Sequence, residues 1–166
     1  MEDFEQLYRL YSRQLFNYLY YLCGSRQMAE ELLQETFYQA FKSILRFKGN
    51  SKVSTWLYQI AKNIYFKHLA KVRKQKLSSL EETKELVCSA TPDILFEEKE
   101  KSKDVIKAIN KLKEPFREII VLRSFSELSF KEIGEILNKT EGWARTNFYR
   151  AKLTLKDILS DETEVK

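Results

Sequence analysis

Glycine and proline are nearly missing, with four and two among 166 residues, a scarcity that fits mostly helical structure. Cysteine is limited to Cys23 and Cys88, far apart, and histidine to His68. Neither a disulfide framework nor a zinc site has enough ligands, and both thiols read as inert in a reducing compartment. Apolar runs such as Ile119 to Leu122 fall far short of the roughly 20 residues that span a bilayer. Met1-Glu2-Asp3 is acidic where a secretory leader is basic. These absences predict a cytoplasmic protein with no stable membrane insertion. No glycine-rich phosphate loop, nucleophile motif or metal-ligand cluster occurs, so no catalytic residue, metal or cofactor is expected and the chain does not read as an enzyme.

The most informative absence is local. From Lys42 to Lys76 there are ten Lys or Arg and no Asp or Glu. Phe47, Trp56, Tyr58, Tyr65 and Phe66 are threaded between the charges. Cations neutralise phosphates, and rings stack on unpaired bases at roughly 1–3 kcal/mol each, so this stretch suits single-stranded or opening nucleic acid. A second cationic island, residues 139–156, carries a net +4, and the segment between the islands, 77–104, is acidic at −4. Two such islands imply an anionic polymer touched twice.

Helical periodicity runs through Phe4, Leu7, Tyr8, Tyr11, Leu15, Tyr18 and Leu22, with Gly24 as a stop and Ser25 as the next N-cap. Met28, Leu33, Phe37, Ala40, Phe41 and Ile44 form a second core stripe opposite Glu31, Gln34, Glu35, Tyr38 and Gln39. After the loop Lys48-Gly49-Asn50-Ser51, a helix is predicted from about Thr55 to Lys74 with Leu57, Ile60, Ala61, Ile64 and His68 inward. On that face His68 reads as packed rather than catalytic. Residues 77–97 read as an acidic linker. Helix signals resume at Glu98 with Val105, Ile106, Ile109 and Leu112, and Pro115 sits where a first-turn proline starts another helix. Ser129 to Glu132 is a capping box, Gly134 permits close approach of a neighbouring helix, and Thr140 caps a last helix to about Ile158. The expected fold is all-α: two small helical domains, 1–76 and 98–160, joined by a flexible linker and followed by a tail, 161–166.

Two constellations carry function. Ser129 to Lys156 has helix-turn-helix spacing, with Ala144, Phe148, Ala151 and Leu155 on one side of the second helix. Its other side bears Glu141, Arg145, Thr146, Tyr149 and Arg150. Arginine can hold guanine edges bidentately or clamp a phosphate. On the earlier helix Trp56, Gln59, Asn63 and Phe66 share a face at steps of three, four and three. There an amide can read a base edge, an indole can wedge beneath an unstacked base, and Lys52, Lys62 and Lys67 can meet phosphates.

Ala29-Glu30-Glu31-Leu32-Leu33-Gln34-Glu35-Thr36-Phe37 is the first of three blocks that carry a resemblance. The second is Phe47-Lys48-Gly49-Asn50-Ser51-Lys52-Val53-Ser54-Thr55-Trp56-Leu57-Tyr58-Gln59-Ile60-Ala61-Lys62-Asn63. The third is Leu128-Ser129-Phe130-Lys131-Glu132-Ile133-Gly134-Glu135-Ile136-Leu137 with Glu141-Gly142. In this order, covering nearly the whole chain, they resemble the extracytoplasmic-function sigma factors, group IV of the sigma-70 family. The resemblance implies a transcription initiation factor that binds core RNA polymerase through its β and β′ subunits, recognises promoter DNA, and is held by an anti-sigma factor. It implies that Glu31, Gln34, Glu35 and Tyr38 dock on polymerase. Lys48, Asn50, Ser51, Lys52, Trp56, Gln59, Lys62, Asn63 and Lys67 would act at the −10 element. Thr140, Glu141, Trp143, Arg145, Thr146, Tyr149 and Arg150 would act at the −35 element. Three positions depart from the family pattern: Asn50 where Asp is usual, Trp143 where a small hydroxyl residue is usual, and Asn147 where a basic residue is usual.

The competing reading is a stand-alone helix-turn-helix regulator, which accounts for Ser129 to Lys156 and leaves Gln34, Glu35 and the Trp56 surface idle. A nucleic-acid enzyme or RNA-binding module lacks catalytic ligands and the glycine-flanked aromatic motif of an RNA-binding sheet.

Overall fold

The computed structural model describes residues 2–78 and 98–164. Helices α1 (Glu2–Cys23), α2 (Arg26–Ser43) and α3 (Val53–Ser78) form the first layer, with a 3-10 turn at Ile44–Arg46. Helices α4 (Glu98–Lys111), α5 (Phe116–Ser124), α6 (Phe130–Leu137) and α7 (Glu141–Glu164) form the second. Apart from its first two residues, which end α3, the expected 77–97 linker lies outside the described residues.

The local signals are realised where the sequence puts them. Gly24 takes a φ of 72° and ends α1, and the Ser25 hydroxyl accepts from the Met28 N–H at 3.3 Å to open α2. Ser129 and Glu132 close both bonds of the capping box, at 3.1 and 2.8 Å. Asn138 ends α6 in the left-handed conformation, which asparagine tolerates. Thr140 Oγ1 then accepts from the Trp143 N–H at 3.1 Å to start α7. A Cβ on Gly134 would stand 2.7 Å from the Lys139 carbonyl oxygen, so the turn between α6 and α7 needs glycine there. Gly134→Ala costs about 1–3 kcal/mol unless the turn shifts.

Several boundaries and faces differ from expectation. α3 runs to Ser78 and α7 to Glu164, beyond Lys74 and Ile158. Pro115 stands one residue before α5 rather than inside its first turn. Phe41 is half exposed, whereas Leu32 and Thr36 are buried in its place on α2. Tyr58 and Tyr65, expected among the exposed rings of a cationic surface, are buried. The reason is tertiary: the two helical layers pack on each other and their cores merge. Leu15, Leu19, Leu33, Phe37, Leu57 and Ala61 continue into Ile119, Leu122, Ile133 and Ile136 as one apolar cluster.

The seam between the layers is built by α1 and α3 against α5 and α6. Tyr21 stacks on Phe125 with ring centroids 3.7 Å apart and planes 16° from parallel, a contact of about 0.5–1.5 kcal/mol beyond area burial. Tyr18 donates to Glu118 at 2.9 Å, both side chains buried. Among the described residues, the buried side-chain polar atoms lacking a hydrogen bond are Tyr58 Oη, Arg117 Nε and Ser126 Oγ. All three belong to this seam. Tyr58 and Ser126 face each other across it without closing a bond of good geometry.

Candidate polymerase and nucleic-acid interfaces

On α2, the buried stripe of Ala29, Leu33, Phe37 and Ala40 turns Glu31, Gln34, Glu35 and Tyr38 outward, and all four are exposed. Gln39 donates to Glu35 at 2.7 Å, and Lys42 Nζ stands 5.0 Å from the centre of the Tyr38 ring. The same face continues through Phe41 and Leu45, which are 53% and 97% exposed. Gln34, Tyr38, Phe41 and Leu45 recur at helical spacing, a signal that assigning Phe41 to the core obscured. An acidic stripe ending in uncovered apolar side chains suits a protein partner with a cationic, partly apolar surface.

The second surface is α3 with the loop before it. Gly49, at a φ of 70°, turns the chain, and Lys48, Asn50, Lys52, Asn63 and Lys67 are exposed. Ser51, Trp56, Gln59 and Lys62 are half-buried. Trp56 rests on Phe47 at 4.9 Å between ring centroids, which holds the indole at the edge of the core. Trp56, Gln59, Asn63 and Phe66 do share one side of the helix, but not all of that side is free. Lys52 Nζ pairs with Glu132 at 3.2 Å, Gln59 Nε2 donates to the Glu135 carbonyl at 3.1 Å, and Thr55 Oγ1 reaches the Glu135 carboxylate at 3.5 Å.

The third surface is the outer side of α7. Buried Ala144 and Ala151 anchor it against the core, so Glu141, Arg145, Thr146, Tyr149 and Arg150 face outward, with Thr140 exposed at the helix start. Arg145 pairs with Glu141 at 2.9 Å and lies 5.4 Å from the Phe130 ring. Both members of this pair are half exposed, so it orients the guanidinium at little energetic cost to a competing anion. Trp143 is half-buried beneath Lys139, whose Nζ is 5.4 Å from the ring, and its carbonyl accepts from Asn147 at 2.9 Å. At two of the atypical positions, then, the indole and the amide are engaged with their own helix and its cap.

Electrostatics mark the seam between these surfaces. Burial pushes the Glu118 carboxyl up to about 7, against the pull of Lys62 and the Tyr18 hydrogen bond, with Glu114 pushing the same way as burial. Burial also raises Glu132, but hydrogen bonds from the Ser129 N–H and from Lys52 outweigh it and hold that carboxyl below its ordinary value. Among the described residues no group of His, Cys, Asp and Glu could hold a metal ion, and no helix is long and apolar enough to cross a membrane.

Residues 7–75 match the family Sigma-70 region 2 and residues 102–155 match Sigma-70, region 4. The sequence is 30% identical over 165 residues to RNA polymerase sigma factor YlaC of Bacillus subtilis strain 168, covering 98% of this chain and 95% of that protein. It is 31% identical over 172 residues to the ECF RNA polymerase sigma factor SigW of the same organism, covering 96% and 90%. Among solved structures, the sigma factor RpoE of Bartonella quintana, crystallised with the anti-sigma factor NepR, superposes with a TM-score of 0.75 at 25% identity, over 96% of this chain and 98% of that one.

Proposed function

Because the chain belongs to the sigma-70 family, as an extracytoplasmic-function sigma factor, we propose a division of labour among its three surfaces in directing RNA polymerase to promoters. The α2 face, through Glu31, Gln34, Glu35 and Tyr38 and extended by Phe41 and Leu45, docks on core polymerase. Lys48, Asn50, Ser51, Lys52, Trp56, Gln59, Lys62, Asn63 and Lys67 engage the −10 element as it opens. Thr140, Glu141, Trp143, Arg145, Thr146, Tyr149 and Arg150 engage the −35 duplex. The chain works in the cytoplasm beside polymerase and supplies no catalysis of its own. The domain limits are 1–76 and 98–160, joined by the 77–97 linker. An anti-sigma factor is the expected antagonist, by analogy with the RpoE–NepR complex.

One observation carries this reading: an acidic, partly apolar helix face stands on the same small chain as two separate cationic surfaces. A duplex-binding regulator has no use for that face. Run-off transcription from a cognate promoter separates the two accounts. Core polymerase should initiate only when the chain is added, and the chain should co-purify with core. Promoter binding by the chain alone, with no effect on core polymerase, would favour the stand-alone regulator.

A further inference from the structure

We propose that Phe130 is a positioning residue for −35 recognition, a ring that holds the Arg145 guanidinium in its reading orientation. The inference rests on the assignment of α7 to the −35 element made above. Phe130 opens α6 directly after its Ser129 cap and is half-buried where α5, α6 and α7 meet. The Arg145 guanidinium carbon, from α7, lies 5.4 Å from the ring centre, and that of Arg123, from α5, lies 4.3 Å from it. The platform is itself fixed. Arg123 Nη1 donates to the Leu128 carbonyl at 2.8 Å, and Phe148 packs against Phe130 with ring centroids 5.5 Å apart. An apolar anchor alone would need neither cation, whereas this ring gathers one guanidinium from the helix before it and one from the helix after it.

Arginine is a flexible side chain, and ordering it at the moment of binding costs affinity that an orientation set in advance preserves. Arg145 is held at two points, by Phe130 and by Glu141, whose carboxylate accepts from Nη2 at 2.9 Å. The two holds differ in what they leave available. Glu141 takes up an N–H that a guanine edge or a phosphate would need. A ring attracts the cation through its quadrupole and takes up no N–H, so it persists in the complex and leaves the donors for O6 and N7. Arg150, further along the same outward side, has neither hold: among the described residues its side chain makes no ion pair or ring contact. Arg145 is therefore a pre-set reader and Arg150 a mobile one.

Two measurements on the full chain test this. In the free protein, NMR relaxation at the Nε–H groups should show the Arg145 guanidinium ordered and that of Arg150 mobile; equal mobility overturns the proposal. In holoenzyme, promoter competition across single-base variants of the −35 element identifies the base pair whose preference is lost in Arg145→Ala. Phe130→Leu, which keeps an apolar side chain and removes the ring, should lower preference at that same base pair by about fivefold and leave the ranking at the other positions intact. Phe130→Tyr should restore it, and Phe130→Leu should cost no further preference on an Arg145→Ala background. A packing role alone gives the opposite pattern, a uniform loss across all variants with additive effects of the two substitutions. That pattern, or unaltered preference in Phe130→Leu, overturns the proposal. Should Phe130→Leu fail to fold, the relaxation measurement on the wild-type chain decides alone. Failure of the underlying assignment is recognised separately, because Arg145→Ala would then leave the ranking unchanged at every position. The positioning role falls with that result even if the Arg145 guanidinium is ordered.

Discussion

The Tyr18 hydroxyl donates a 2.9 Å hydrogen bond to the Glu118 carboxylate, joining helices a hundred residues apart in sequence at a point where both side chains are buried. The bond crosses from one helical layer to the other, so it exists only while they are packed together. Burial sets the chemistry of the pair by favouring the neutral form of each. The Glu118 carboxyl rises to about 7, and Tyr18 rises well above its ordinary value through burial and the adjacent carboxylate.

Packing of the layers should therefore weaken as pH rises. Glu118 has an ordinary value of 4.5 when solvated and about 7 in the seam, so the packed form takes up a proton that the parted form releases. Its contribution is fully present below about 4.5 and is lost as pH rises through 7. The groups around Glu118 act on it in opposite senses. Lys62 on α3 and Tyr18 on α1 favour its charge and Glu114 opposes it, while Arg117 and Arg73 act on Glu114. Small-angle scattering should give a larger radius of gyration at pH 8.5 than at pH 5.5, and Glu118→Gln should flatten the change. An identical pH response in that variant would show that another group is responsible.

Docking is the second expectation. Glu35→Lys with Gln34→Ala alters exposed side chains only, so helix content by circular dichroism should be unchanged. Binding to core polymerase should weaken, and Leu45→Ser should weaken it further because that side chain is 97% exposed on the same face. Normal co-purification of the double variant with core would show that α2 is not the docking helix.

For the upstream contact, Arg145→Ala and Arg150→Ala should each cost on the order of 1–3 kcal/mol if the guanidinium reads a base, and less, with no change in preference, if it meets phosphate alone. Competition across single-base variants of the −35 element distinguishes the cases. Unchanged affinity and unchanged ranking in both variants would remove α7 from recognition.

What could be read from the sequence was what local chemistry decides. Gly24, the caps at Ser25 and Thr140, and the Ser129–Glu132 box are set by residues within a turn of each other, and they stand as expected. The exposed faces of α2 and α7 followed from spacing. The seam was not legible, because it depends on which layer covers which. Tyr58 and Tyr65 sit among lysines and look like a stacking platform, yet Tyr58 packs edge-on against Tyr18 of α1 and the Tyr65 hydroxyl donates to the Leu22 carbonyl of α1 at 3.2 Å. Glu118 stands beside Arg117 in what reads as an ordinary amphipathic helix, and nothing nearby in sequence announces that Tyr18 will bury it. Glu132 was recognisable as a cap and not as the partner of Lys52, since one carboxylate serves both roles.

Promoter opening is where the account meets its most direct test. Asn63 is exposed on the outer side of α3, so Asn63→Ala removes an amide without disturbing the core, whereas Trp56→Ala disturbs the Phe47 contact as well. If Asn63 holds an extruded base, it contributes only after the strands part, because inside a duplex the base is paired and stacked. The measurement is permanganate reactivity of thymines near the start site in holoenzyme–promoter complexes. Asn63→Ala holoenzyme should bind the promoter duplex as wild type does and lose that reactivity, with transcription partly restored on a pre-melted template. Wild-type reactivity and opening kinetics in this variant would contradict the claim that the α3 face captures the −10 element.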